Sequence, residues 1–155
     1  MPKKIVLLSC VATKLPKPAP AGELYSSPLF KGSLKYANSL DPDDIVILSA
    51  KHYVLPLEQV IAPYDKTLLN MPSDEVKEWA EEVLRRLRKR YDLENDEFII
   101  LAGAKYRKYI VPEIKNWSSP VEGKRIGQQL QFYAQKLGKV IKEGFIKLVN
   151  LIRGK

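Results

Sequence analysis

Cysteine and histidine are almost absent from this chain of 155 residues, which has one of each, Cys10 and His52. A single Cys excludes an internal disulfide and any metal site built from thiolates alone. A single His argues against a conventional zinc centre. No metal or other cofactor is expected. No apolar run approaches the roughly 20 residues that cross a bilayer. The opening MPKKIVLLSC joins two lysines to an apolar run too short for a signal peptide, and a Lys/Pro stretch follows in place of a cleavage site. A cytoplasmic protein without membrane contact is therefore expected. Internal repeats, low-complexity segments, a Walker loop, a dinucleotide glycine fingerprint, a metalloprotease motif and a serine-hydrolase elbow are all missing.

Acids are scarce at both ends. Residues 1–40 hold six lysines and one acid, Glu23, and residues 102–155 hold twelve Lys/Arg against three acids. The middle, 41–101, has eight bases and fourteen acids, and the net charge is +8. Two basic ends around an acidic centre can form one basic face for a polyanion. They can equally be a Lys-rich solvated surface of the kind found in proteins from hot environments.

What is present is an alternation of strand and helix signals. Ile5-Val6-Leu7-Leu8, Ile45-Val46-Ile47-Leu48 and Phe98-Ile99-Ile100-Leu101 are short, unbroken apolar runs bounded by polar residues. Such runs read as strands covered on both faces. The stretch CVATKLPKPAPAGELYSS, with three prolines, reads as loop. Ser27 followed by Pro28 predicts the cap and first residue of a helix reaching about Ser39. Ser73 is expected to cap a helix in which Val76, Trp79, Ala80, Val83, Leu84 and Leu87 share a face, with Glu81–Arg85 and Glu82–Arg86 pairs outside. A helix over Lys105–Asn116, a short strand within Trp117–Val121 and a long helix from about Gly127 to Ile152 complete the chain. Gly138 and Gly144 mark that last helix for a kink. The expectation is one α/β domain over residues 1–155, a three-layer sandwich with a mostly parallel sheet of about four strands flanked by helices.

Asp44 to Met71 organises the functional reading. It runs from the second strand into a loop of about twenty residues, interrupted by Pro56 and Pro63 and too apolar to be disordered. The loop carries His52 and the run Tyr64-Asp65-Lys66. Ligands in open α/β sheets bind beyond the carboxyl ends of strands, where the first two strands would place Cys10, Thr13, Lys14, Lys51 and His52. Cys10 is a candidate nucleophile, its thiol acidified by nearby lysines, or else packing. His52 is a candidate general base, or else a surface group. Lys14 and Lys51 suit a phosphate, and Tyr64 and Asp65 a base or sugar. In the run KYRKY, Lys105, Arg107 and Lys108 alternate with tyrosines, a pattern that suits stacking and phosphate contact or a packed helix with solvated bases. Lys124 and Arg125 form a basic turn before the last helix.

The blocks SCVATK, LYSSPLFKGSLKYA, ILSAKHYVLPLEQVIAPYDKTL and IGQQLQ resemble a family of small uncharacterised domains related to the peroxide-stress protein YaaA. The resemblance covers nearly the whole chain. A more remote similarity is to the central domain of archaeosine synthase, where a Cys-x3-Lys segment, then tyrosine and serine, belongs to a site acting on a modified base in tRNA. Cys10 and Lys14 match the Cys-x3-Lys part, and Tyr25 and Ser27 are counterparts of the later positions. Related sequences often carry Gly where this chain has Tyr53. YaaA-like proteins are associated with DNA binding, and their core is similar to that of uracil-DNA glycosylases. The resemblance implies an α/β domain that handles nucleic acid, DNA or tRNA, through a base-sized pocket. Cys10, Thr13, Lys14, Tyr25, Ser27, Lys51, His52, Tyr64, Asp65 and Lys66 would form it. Asp65 or His52 would activate water in N-glycosidic cleavage or base modification. The alternatives are an enzyme acting on a free nucleotide or nucleoside and a non-catalytic interaction domain.

Overall fold

The computed structural model describes residues 1–9 and 14–153. The first apolar run is strand β1 (Lys4–Ser9), with Ile5 to Leu8 buried without exception. The Pro-rich stretch that follows is not all loop. It holds a two-residue strand β2 (Ala19–Pro20) and one helical turn, α1 (Ala21–Leu24), whose Ala21 and Leu24 lie in the core. The local sequence gives no sign of this because the partners are distant. The Ala21 and Gly22 N–H groups donate to the Gln59 and Leu57 carbonyls, each at 2.8 Å.

Helix α2 (Pro28–Ser39) forms where the cap predicts: the Phe30 N–H donates to Ser27 Oγ at 3.1 Å, and Pro28 opens the first turn. Strand β3 (Asp44–Ser49) returns beside β1 and parallel to it, with Val6 opposite Ile45. The long loop expected next is partly sheet. The chain turns back at once into β4 (Tyr53–Pro56), antiparallel to β3, and then forms β5 (Val60–Ile61), which pairs with β2. Pro56 is tolerated because β4 is an edge strand that needs no donor on its outer side. Leu55, Ile61 and Leu68 are buried, so the segment does pack down, while Val60 and Leu69 stay exposed.

Helix α3 (Ser73–Arg90) buries the six residues its periodicity selects. Its N-cap is Pro72, and Ser73 is its first residue without a capping bond. Glu82 takes both neighbouring arginines, Arg85 at 2.5 Å and Arg86 at 3.0 Å, and no Glu81–Arg85 pair is found among the described residues. Strand β6 (Glu97–Leu101) lies parallel on the other side of β1. The helix expected over Lys105–Asn116 is cut to one turn, α4 (Ala104–Arg107), and a 3-10 turn at Val111–Glu113. Pro112 removes a donor and crowds the preceding turn, which accounts for the break. Strand β7 (Trp117–Ser118) pairs parallel to β6, and α5 (Ile126–Arg153) runs unbroken through Gly138 and Gly144.

The sheet order is β4-β3-β1-β6-β7, with β4 alone antiparallel. From β1 the chain winds one way to β3 and then the other way to β6 and β7. Right-handed crossovers therefore put α2 and α3 on opposite faces. Helix α5 covers α2, and Gly32 faces the Tyr133 ring: a Cβ there would stand 3.4 Å from Tyr133 Cδ2, about van der Waals contact. The result is an α/β sandwich with a five-stranded, mostly parallel sheet, one strand more than expected.

Candidate functional site

The carboxyl ends of β1 and β3 open onto one rim because the two strands are parallel neighbours. Winding reverses between β1 and β6, and open α/β sheets leave a crevice at that point. Cys10 and Thr13 lie outside the described residues. Lys14 is the first described residue past β1, held by a single antiparallel bridge to Tyr25.

Behind the rim stand three buried hydroxyls. Those of Tyr25 and Tyr64 are 2.5 Å apart, and that of Tyr64 is 2.7 Å from Ser49 Oγ. Ser49 Oγ also accepts the backbone N–H groups of Lys51 at 3.3 Å and His52 at 3.0 Å, which fixes the turn leaving β3. The Ser49 carbonyl accepts the Trp79 indole N–H at 2.9 Å and so ties that turn to α3. This network anchors loop, strand and helix to one point. Low polarity around it strengthens each bond and raises the cost of losing one.

Two ammonium groups flank the Tyr64 ring. Lys14 Nζ lies 4.4 Å from the ring centroid, and 5.7 Å from that of Tyr25, while Lys51 Nζ lies 5.9 Å from the Tyr64 centroid. His52 meets the same ring edge-on at 5.3 Å. Its Nε2 is buried and has no hydrogen-bond partner among the described residues. Burial, then the Lys51 and Arg86 charges, push its pKa below the ordinary 6.5, which favours the neutral imidazole. Arg86 holds the turn from outside: its Nη1 donates to the His52 carbonyl at 3.1 Å, and its guanidinium lies 4.6 Å from the Tyr53 ring centroid. Tyr53 has φ 64°, a left-handed conformation that favours glycine.

Next to the rim is a hollow of about 470 Å³ lined by Ala50, Tyr53, Lys66, Met71, Glu75, Glu78 and Trp79. That volume is in the range of small-molecule sites, roughly 300–1,000 Å³. Asp65 and Lys66 are exposed.

The structure thus brings Lys14, Tyr25, Lys51, His52 and Tyr64 together. Tyr25 and Tyr64 are nearly solvent-free, and their hydroxyls face each other. Ser27 is accounted for by its helix cap. Among the basic surface candidates, Lys105 Nζ donates to the Leu69 and Met71 carbonyls at 3.1 and 2.9 Å, and Arg107 Nε donates to the Ala102 carbonyl at 2.9 Å. Both are occupied in holding loops. Lys108, Lys124 and Arg125 are exposed.

Sequence reading missed Ser49, Tyr53, Trp79 and Arg86. Ser49 was visible as the polar stop of a buried strand, whereas Arg86 looked like one more base on a solvated helix face.

A sequence model of a family of unknown function, DUF6884, matches residues 5–135. The chain belongs to that family. No curated protein and no solved structure matches the chain.

Proposed function

We propose that this DUF6884 member is a nucleic-acid-binding domain with a nucleotide-sized site at the carboxyl ends of β1 and β3. The observation that carries the reading is the pair of lysines, Lys14 and Lys51, flanking one buried tyrosine beside that rim. Two ammonium groups on a fixed support suit a phosphate. The adjoining hollow suits a base, with Tyr53 offering an aromatic edge and the carboxylates of Glu75 and Glu78 accepting amino protons. The exposed Lys108, Lys124 and Arg125 add to the field that draws in a long polyanion.

A base-acting reaction fits the same site. His52 or Asp65, the carboxylate nearest in sequence to the Tyr64 support, would activate water by taking its proton. N-glycosidic cleavage and base modification both need that proton transfer. This reading includes kinship with the YaaA-related domains, and more distantly with archaeosine synthase and the uracil-DNA glycosylase core, and a cytoplasmic location. No helix of the described residues is long and apolar enough to cross a membrane. The bounded size of the hollow favours a second reading, a free nucleotide or nucleoside as substrate.

The test is binding of labelled single-stranded DNA, duplex DNA and tRNA across a salt series, for the wild type and for Lys14→Ala with Lys51→Ala. Steep salt dependence, lost with the two lysines, supports a polyanion at the rim. A shallow slope with retained nucleotide binding moves the site to the second reading. No binding of these polyanions at low salt sinks the first reading and sends the search to free nucleotides.

A further inference from the structure

We propose that the outer half of α5 is a self-association surface, which pairs antiparallel with the same segment of a second copy of this chain. The inner half of α5 is anchored. Tyr133 is buried against α2, with its ring 5.6 Å from that of Tyr36, and Phe132 packs 5.2 Å from Tyr36. From Gly138 onward every described side chain is exposed except half-buried Val149. Among them Ile141 is 71%, Phe145 65%, Leu148 54%, Leu151 65% and Ile152 67% exposed.

A projecting helix of this composition needs a partner. The segment spans about 24 Å at 1.5 Å per residue. Isolated helices of this length are marginal in water, and Gly138 and Gly144 each weaken it by about 1 kcal/mol. Most of its exposed apolar residues share one side, with Ile146, 47% exposed, on the opposite face. Ile141, Phe145, Leu148 and Ile152 follow a 4-3-4 spacing, which keeps them within a stripe about 60° wide. Gly144 and Leu151 border the same side. Lys139, Lys142, Lys147 and Arg153, with Glu143, hold most of the remainder.

The area and the shape point to a second copy. At these exposures, five side chains present on the order of 600 Å² per copy, so a face-to-face pair covers about 1,200 Å², enough for a stable interface. In antiparallel register, Ile141 of one copy meets Ile152 of the other and Phe145 meets Leu148. The small Gly144 then falls opposite the large Leu151, and Lys142 beside Val149, so no like charges face each other. The basic sides turn outward, and the two bodies lie at opposite ends of the pair. The segment also lies beyond residue 135, where the family match ends, so pairing is a property of this chain added to the family domain. The inference does not depend on what the rim binds.

Sedimentation velocity without nucleic acid tests it on the full chain. The expected wild-type mass is twice 17.7 kDa at about 10–100 µM. Phe145→Glu with Leu148→Glu should give monomer, with unchanged far-UV circular dichroism of the body and unchanged nucleic-acid affinity at the rim. Phe145→Glu with Leu148→Lys should restore the pair, because only antiparallel register sets the new acid against the new base. A monomeric wild type overturns the proposal, as does a pair that survives the double Glu variant. Failure of the Glu/Lys variant to pair overturns the antiparallel register. A monomer that co-sediments with anionic phosphatidylserine vesicles would instead assign this basic, amphipathic face to a lipid surface.

Discussion

The two ends of the sheet handle charge in opposite ways. At the amino end, several charges are paired. Tyr91 donates to Asp44, Arg90 bonds the same carboxylate at 3.2 Å, and Arg88 reaches Glu113 at 3.4 Å. Asp96, nearly buried, accepts the backbone N–H groups of Lys3 and Asp92, each at 2.8 Å. At the carboxyl end, Lys14 and Lys51 stand over aromatic rings, and His52 keeps a buried nitrogen without a partner. An end whose charges are mutually satisfied holds the fold together. An end that gathers cations on aromatic rings and leaves a polar atom unsatisfied is where the proposed site would give up stability for binding.

The largest effect should come from breaking the carboxyl end where it is proposed to meet an anion. Hydrogen bonds to charged groups are worth about 1.5–3 kcal/mol each, so Lys14→Ala with Lys51→Ala should weaken nucleic-acid binding by about 100-fold or more. The salt slope should become shallower by about two phosphate contacts. Thermal stability should change less than affinity: Lys51 is exposed, and Lys14 is half-buried. If binding survives, the polyanion lies elsewhere on the surface.

The same comparison predicts the reverse at the amino end. Asp96→Ala removes the acceptor of two backbone donors and should cost about 2 kcal/mol in chemical denaturation, with affinity unchanged. Tyr64→Phe tests how stability and binding are coupled at the carboxyl end. It leaves the Tyr25 and Ser49 hydroxyls without their shared partner, at a cost of about 1–3 kcal/mol. It should also lower affinity, because the support under both lysines loosens. A Tyr64→Phe variant with full stability and reduced affinity would make the hydroxyl a direct ligand rather than a brace.

A smaller effect is expected from His52. Its pKa is lowered in the fold, so the unfolded chain binds more protons wherever the two states differ. Its contribution to stability is therefore present above the unfolded value of about 6.5 and is lost as the pH falls below it. A single-histidine chain makes the test direct: the NMR titration of the lone imidazole should show a midpoint below 6.5, and His52→Gln should remove that part of the acid dependence. A midpoint at or above 6.5 would mean that the ring is solvated or sits near an acid.

The framework was legible wherever the evidence is local. The three apolar runs, the Ser27–Pro28 cap and the α3 periodicity each became the predicted element, because burial on two faces and helix phase leave their mark within a few residues. What was hidden depended on contacts far along the chain. β2 and α1 exist through carbonyls of Leu57 and Gln59, and β4 through the open edge of β3. The site divides the same way. His52, Lys14, Lys51 and Tyr64 were visible as chemistry at strand ends. Ser49, Trp79 and Arg86 were not, since their roles follow from bonds to a turn that no pattern of residue types records.

Tyr53 gives the finest test of how the carboxyl end is built. Its left-handed backbone costs a non-glycine residue about 1–2 kcal/mol. The ring offsets part of this by receiving the Arg86 guanidinium, a contact worth about 0.5–1 kcal/mol where partly exposed. Tyr53→Gly removes the strain and the stacking together and adds unfolded-state entropy, so its stability should stay within about 1 kcal/mol of the wild type. Tyr53→Ala keeps the strain and loses the ring, and should be the less stable of the two. If Gly is instead clearly stabilising, the ring is kept at the expense of stability, and the variant should show a matching loss of affinity at the hollow it lines. If Ala equals the wild type, Arg86 holds the turn through the His52 carbonyl alone, and Tyr53 is a surface residue with no part in the rim.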